Sequence, residues 1–266
     1  ALESLNGSLE GIPSVVLERA QDLHPLGVGI NLLPHAVREL AHLGLGETLA
    51  RISVAPAAIS YFDSGGTHLF REPRGVEGGY SHPQRSVHRG RLHAMLVDAV
   101  TDRLGPDAIR TGAGVTGFTR TRRGVIAHTR TGDVPGDVLV GADGINSVVR
   151  AALHPGDDPL LWSGVRMYRG AARIDAFLDG RTMAIVQAPR GVDLVTYPIG
   201  DGLVNWVLQV GDGRPGRLPG DARWNHPAEP DAVAAHVADW ELDWLDVAAL
   251  PRCSDAVFEY PMVDRN

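Results

Sequence analysis

With 266 residues, 44% of them hydrophobic and 21% charged, the chain has the balance of a globular protein able to bury one large core or two modest ones. A formal charge of −7 excludes a surface built for nucleic acid or for an anionic membrane, since both require clustered positive charge. Cys253 is the single cysteine, which excludes an internal disulfide framework, and it reads as a structural residue of a reducing compartment. No apolar run approaches the roughly 20 residues of a membrane span, so the expected setting is cytoplasmic, with neither nucleic acid nor membrane as partner.

The chain opens inside what reads as a helix. Ser14-Val-Val-Leu-Glu18 is a short apolar run ending in an acid, the pattern of a buried parallel strand. Residues 34–43 carry Ala36, Val37, Leu40 and Leu43 on one helical stripe, with Pro34 at the start. Residues 57–62 and 67–71 flank Asp63-Ser-Gly-Gly66, a hairpin signal. A second amphipathic helix is expected over 91–104, and two strands over 114–129 around Arg122-Arg-Gly124. Residues 137–143 read as a second buried strand ending in an acid, followed by a helix over 146–153.

After Pro155 the pattern turns to alternating β-rich runs at 165–174, 182–188, 192–198 and 203–210. A helix over 231–240 and a strand over 256–261 follow. Helices mixed with buried strands in the first part and antiparallel sheet in the second predict an α/β nucleotide-binding domain interleaved with an antiparallel-sheet domain. The boundaries expected are 1–54 and 86–158 for the first, and 55–85 and 159–266 for the second.

Glu18, at the end of a strand, is a candidate for hydrogen bonds to an adenosine ribose; an acid in that position is equally common for structural reasons. Gly141-Ala-Asp-Gly-Ile-Asn-Ser-Val-Val-Arg150 is more specific. It delivers two glycines and an aspartate to a turn before a helix, where glycines permit close backbone approach to a phosphate or ribityl chain and helix-terminal amides favour an anion. Eleven scattered histidines show no metal-ligand spacing. Trp206 and Met262 read as core residues.

Gly-Ala-Asp-Gly-x-x-Ser-x-x-Arg resembles the second flavin motif of the single-component FAD-dependent aromatic hydroxylases, the family of p-hydroxybenzoate and salicylate hydroxylases. Val15-Val-Leu-Glu-Arg19, Gly27-Val-Gly-Ile30, Ala36-Val-Arg-Glu-Leu40 and Arg89-Gly-Arg-Leu92 fall in that family's order. Phe177-Leu-Asp-Gly-Arg-Thr-Met183 and Tyr260-Pro-Met-Val-Asp-Arg265 resemble its phenazine-modifying branch. The resemblance implies a p-hydroxybenzoate-hydroxylase-like fold, with a Rossmann-like FAD-binding domain. It implies that FAD is met by Glu18, Arg19, Gly29, Arg38, Arg89, Val115, Gly141, Asp143 and Gly144, and the substrate by Tyr197. It also implies hydroxylation of an aromatic, phenazine-like substrate by NAD(P)H and O2 through a flavin C4a-hydroperoxide, in a monomer or homodimer.

Two family motifs are absent: the Gly-x-Gly-x-x-Gly loop before a segment like 1–10, and the Gly-Asp motif after one like 260–265. An excerpt of a longer enzyme is therefore expected, or a truncated one. The alternatives are a non-catalytic flavoprotein fragment and an FAD-dependent reductase or halogenase of the same fold. A nicotinamide-dependent dehydrogenase is disfavoured by the motif at 141–150.

Overall fold

A computed structural model describes residues 2–23, 27–156, 159–189, 191–218 and 226–265, the side chains of 2, 3 and 6 excepted. The chain forms two compact units. The smaller comprises Ala1–Pro25, His93–Pro159 and Arg265–Asn266; the larger comprises Leu26–Leu92 and Leu160–Asp264.

In the smaller unit the strand Val16–Leu17 pairs in parallel with Ile109–Arg110. A three-stranded antiparallel sheet follows, with Gly124–Thr129 between Val115–Thr121 and Gly132–Gly136. The helix Val148–Leu153 packs on Val115–Thr121, and Val149 is buried. The expected strand over 137–143 does not form: residues 138–143 carry no regular structure, and Val138 and Val140 are 80% and 61% exposed. A parallel strand needs a neighbour along its edge. Among the described residues the only parallel pairing in this unit is the two-residue one, and it does not reach this segment.

The larger unit is organised by a nine-stranded sheet. Its path runs from His226–Pro227 through Ser254–Asp264, Leu161–Arg173, Leu203–Gly211, Val192–Gly200, Thr182–Ala188 and Ala58–Asp63 to His68–Pro73, and Gly216–Arg217 pairs with Leu161–Arg173. The hairpin Ala58–Pro73 therefore joins the sheet built from the second half of the chain; Ala58–Asp63 pairs in parallel with Thr182–Ala188. The 231–240 helix is shorter than its stripe predicts: Pro230–Ala234 is α-helical, Ala235–Val237 is a 3-10 turn, and Trp240 lies outside both.

Strand alternation sorts the sheet's side chains onto two faces. One face carries Ala184, Val186, Leu194, Val204, Trp206 and Leu208, which pack with Val233, Val237 and Leu250 of the short helices. Trp206 is 1% exposed, and its indole N–H donates to Ser254 Oγ at 2.9 Å. On the other face Ile59, Met183, Tyr197 and Ile199 form a second cluster. Above it lies a small antiparallel sheet of Gly29–Leu32, Arg85–His88 and Ser53–Val54, flanked by the helices Pro34–His42 and Gly46–Arg51. Two expected core residues differ: Trp206 is buried as its pattern predicts, whereas Met262, near the end of Ser254–Asp264, is 43% exposed. Cys253, just past the helix Ala249–Arg252, is an exposed free thiol.

Replacing Trp206 with alanine is expected to lower unfolding stability by about 3–5 kcal/mol, the cost of a large buried aromatic. Urea unfolding of the polypeptide carrying this sequence measures it; a loss below about 1 kcal/mol would mean that the helix-side face is not one packed core.

Candidate flavin and substrate site

In the smaller unit, Glu18 follows the Val16–Leu17 strand. Its backbone N–H donates to Arg110 O at 2.9 Å, and its carboxylate accepts from Ala20 N at 2.7 Å. Ala113 N donates to Glu18 O at 2.8 Å, which draws the loop before Val115 alongside. Arg19 is exposed, and its stem lies against Gly114. Glu18, Arg19 and Val115 are thus brought together at one end of the parallel pair.

The Gly141–Arg150 turn has a different internal chemistry from the one expected. Ser147 Oγ donates to Asp143 Oδ1 at 2.5 Å, while Val148 N and Val149 N donate to Oδ2 at 2.7 and 3.3 Å. Ser147 Oγ in turn accepts from Arg150 N at 2.9 Å. These amides at the helix start are therefore satisfied by the chain itself and are not open to an external anion. Gly144, at φ +77°, supplies the left-handed residue that folds Asp143 back over the helix. Burial opposes the charge on Asp143, but the bonds from Ser147, Val149 and Val148 outweigh it and hold its carboxyl below the usual range.

In the larger unit, Tyr197 is 5% exposed in the cluster with Ile59, Met183 and Ile199, and burial pushes its phenol well above the usual tyrosine range. Directly across from it, Asn205 is fully buried and its Oδ1 accepts from Gly29 N at 2.6 Å. A Cβ at Gly29 would stand 2.6 Å from Asn205 Cβ and 2.8 Å from Ile199 Cγ2, so only glycine permits this approach. Arg169, on the same face by alternation, is 6% exposed with its guanidinium 4.7 Å from the Tyr260 ring centroid. Burial lowers the Arg169 pKa and raises that of Tyr260, and the Arg89 charge acts on both. Arg89 itself is exposed, its Cβ and the Nε and Cζ of its guanidinium over Gly27, and its backbone N–H donates to Val28 O at 2.9 Å.

The expected residues Gly29, Arg89 and Tyr197 are thus assembled around one sheet face, with Asn205, Arg169 and Tyr260 added to them. Sequence reading missed those three. Their only signal was parity: each shares the alternation phase of Tyr197 or of the strand paired with it. Arg38 stands apart, bonded to Glu39 at 2.8 and 3.0 Å and lining a cavity of about 350 Å3 with His35, Arg74, Tyr80 and Gln84. Among the described residues no group of three His, Cys, Asp or Glu could hold a metal ion, and no helix is long and apolar enough to cross a membrane.

With this geometry in place, the likenesses to known proteins are specific. The chain is 41% identical over 266 residues to phenazine 1,6-dicarboxylic acid hydroxylase PhzS of Lysobacter antibioticus, covering 95% of this chain and 65% of that protein. It is 32% identical over 218 residues to 3-hydroxybenzoate 6-hydroxylase 1 of Aquipseudomonas alcaligenes, covering 77% of this chain and 53% of that protein. The chain thus spans less than two thirds of either relative. The fold matches Klebsiella pneumoniae HpxO complexed with FAD and uric acid at TM-score 0.77 and 21% identity, over 99% of this chain and 65% of that one. It also matches a salicylate hydroxylase substrate complex at TM-score 0.74 and 21% identity, over 99% of this chain and 66% of that one. No protein-family profile matches.

The fold is the mixed α/β architecture of FAD-dependent hydroxylases. The chain's homologues are the FAD-dependent aromatic hydroxylases, PhzS among them.

Two substitutions test the site. Asp143→Ala removes the carboxylate that supplements the Ser147 cap by accepting from Val148 N and Val149 N, and is expected to cost about 0.5–2 kcal/mol at neutral pH. Because the folded carboxyl titrates below its unfolded value, this contribution is complete above the ordinary carboxylate value of about 3.9 and is lost as pH falls through the lower folded value. Paired unfolding curves for wild type and Asp143→Ala from pH 7 to pH 2 read this; a gap that does not narrow in acid would contradict it. Gly29→Ala drives a methyl into Asn205 and Ile199 and is expected to destabilise by about 1–3 kcal/mol, which chemical denaturation measures.

Proposed function

We propose that the polypeptide carrying this sequence is an FAD-dependent monooxygenase that hydroxylates an aromatic, phenazine-like acid with NAD(P)H and O2. The observation that carries this reading is the 41% identity to a phenazine dicarboxylic acid hydroxylase along 95% of the chain. When bound, FAD supplies the redox chemistry, accepting electrons from NAD(P)H and activating O2 for transfer to the ring.

The residues present fit a flavin. Glu18, an acid at the end of a parallel strand, suits an adenosine ribose, and Arg19 stands exposed beside it. Gly29 lacks a side chain where Asn205 and Ile199 press against it, so its strand would meet a planar ring through backbone. The exposed guanidinium of Arg89 suits an anionic or carbonyl-bearing part of the cofactor. With Val115, Gly141, Asp143 and Gly144, these residues would hold FAD; Arg38 would serve from the Pro34–His42 helix. Asp143 would act by fixing its turn, because its oxygens are already engaged there.

For the substrate, Tyr197 and its apolar neighbours would provide an aromatic wall, and the buried Arg169–Tyr260 pair a positive edge suited to a ring carboxylate. Dry walls of this kind exclude water from a reactive site. On this reading residues 1–54 and 86–158 serve the cofactor and 55–85 and 159–266 the substrate. That division of labour is not the same as the two compact units. The enzyme would work in the cytoplasm as a monomer or homodimer.

The test is to purify the natural polypeptide, record its flavin spectrum and follow NAD(P)H oxidation with phenazine carboxylic acids and hydroxybenzoates. The expected result is bound FAD, substrate-stimulated oxidation and a hydroxylated product of the phenazine acid. Bound FAD with no oxygenated product from any of these aromatics would favour a reductase and defeat the monooxygenase reading.

A further inference from the structure

Asn205 is an anomaly in its own strand. Residues 203–208 are Leu-Val-Asn-Trp-Val-Leu, and the asparagine is the one polar side chain in that run, with no part of it exposed. Its Oδ1 receives the Gly29 N–H at 2.6 Å, across 176 residues of sequence. Its Nδ2 is buried and meets no acceptor. A carboxamide that uses one end and strands the other is a poor space-filler, because leucine has similar bulk and brings no buried Nδ2 to leave unmatched; what leucine cannot do is accept the Gly29 N–H. The position is therefore defined by the acceptor that it offers Gly29.

That acceptor has a geometric consequence. The paired strand Arg85–His88 bonds the Gly29–Leu32 strand along one side, and the Asn205 oxygen fixes its height above the large sheet. With Asn205 Cβ and Ile199 Cγ2 within 2.8 Å of where a Gly29 side chain would begin, the strand sits as low as backbone can. Asn205 also lies directly across from Tyr197, so one residue ties the strand suited to the flavin ring to the sheet row suited to the substrate.

We propose that Asn205 is a positioning residue that sets the spacing between flavin and aromatic substrate through its bond to the Gly29 amide. This inference rests on the flavoprotein reading above. It predicts that the bond, not the bulk, matters.

The test compares wild type, Asn205→Leu and Asn205→Asp in the natural polypeptide. Asn205→Leu keeps the volume and removes the acceptor; Asn205→Asp keeps an oxygen for Gly29. Three quantities are read: hydrogen exchange of the Gly29 amide, FAD affinity by flavin fluorescence, and hydroxylated product per NAD(P)H consumed. Asn205→Leu is expected to expose the Gly29 amide to exchange, weaken FAD about tenfold, the scale of one lost hydrogen bond, and divert turnover to peroxide. Asn205→Asp is expected to restore Gly29 protection. An Asn205→Leu protein that protects Gly29, binds FAD and couples as wild type does would overturn the proposal while leaving the flavoprotein reading intact. A wild type that holds no FAD would overturn both.

Discussion

The larger unit depends on one constraint: a single sheet must bury both of its faces, and strand alternation forces neighbouring residues to serve opposite ones. Trp206 and Asn205 are adjacent in sequence and yet belong to different environments. The indole anchors the face that packs against the short helices, where its N–H meets Ser254 and its ring joins a cluster of aliphatic and aromatic side chains. The carboxamide points the other way, to the face where polar and ionisable groups gather. A one-residue slip of that strand would put the asparagine in the dry core and the tryptophan beneath Gly29.

The second face gathers large polar and ionisable side chains. Tyr197, Asn205, Arg169 and Tyr260 all lie on it, and each is half-buried or more. Burial of this kind stabilises nothing by itself, since taking polar groups out of water costs free energy unless their bonds are replaced. The arginine is offset by the tyrosine ring below it, and the asparagine by the Gly29 amide. Polar groups kept at that cost are what the proposed substrate role would require of this face.

Much of this was legible in the sequence. The antiparallel strands appeared as alternation, the Ala58–Pro73 hairpin as Asp63-Ser-Gly-Gly66, and the turn into the Val148–Leu153 helix as Gly141 to Arg150. The rest depended on long-range partners. The run at 137–140 has the composition of a buried strand, but strand formation is a property of the pairing, and that segment has none. The motif's pattern offers its aspartate to a ligand, and in the fold the helix start also engages that carboxylate, a competition that a linear pattern does not reveal. Asn205 carried only the parity of its strand, because its significance lies in a partner 176 residues away.

The proposed activity is insertion of an atom of dioxygen into an aromatic ring. The most direct measurement is mass spectrometry of the product formed from a phenazine carboxylic acid under 18O2 in ordinary water, with the flavin-loaded natural polypeptide and NAD(P)H. A monooxygenase of the proposed kind leaves one 18O atom in the new hydroxyl group. An unlabelled hydroxyl, drawn from water, would contradict that activity.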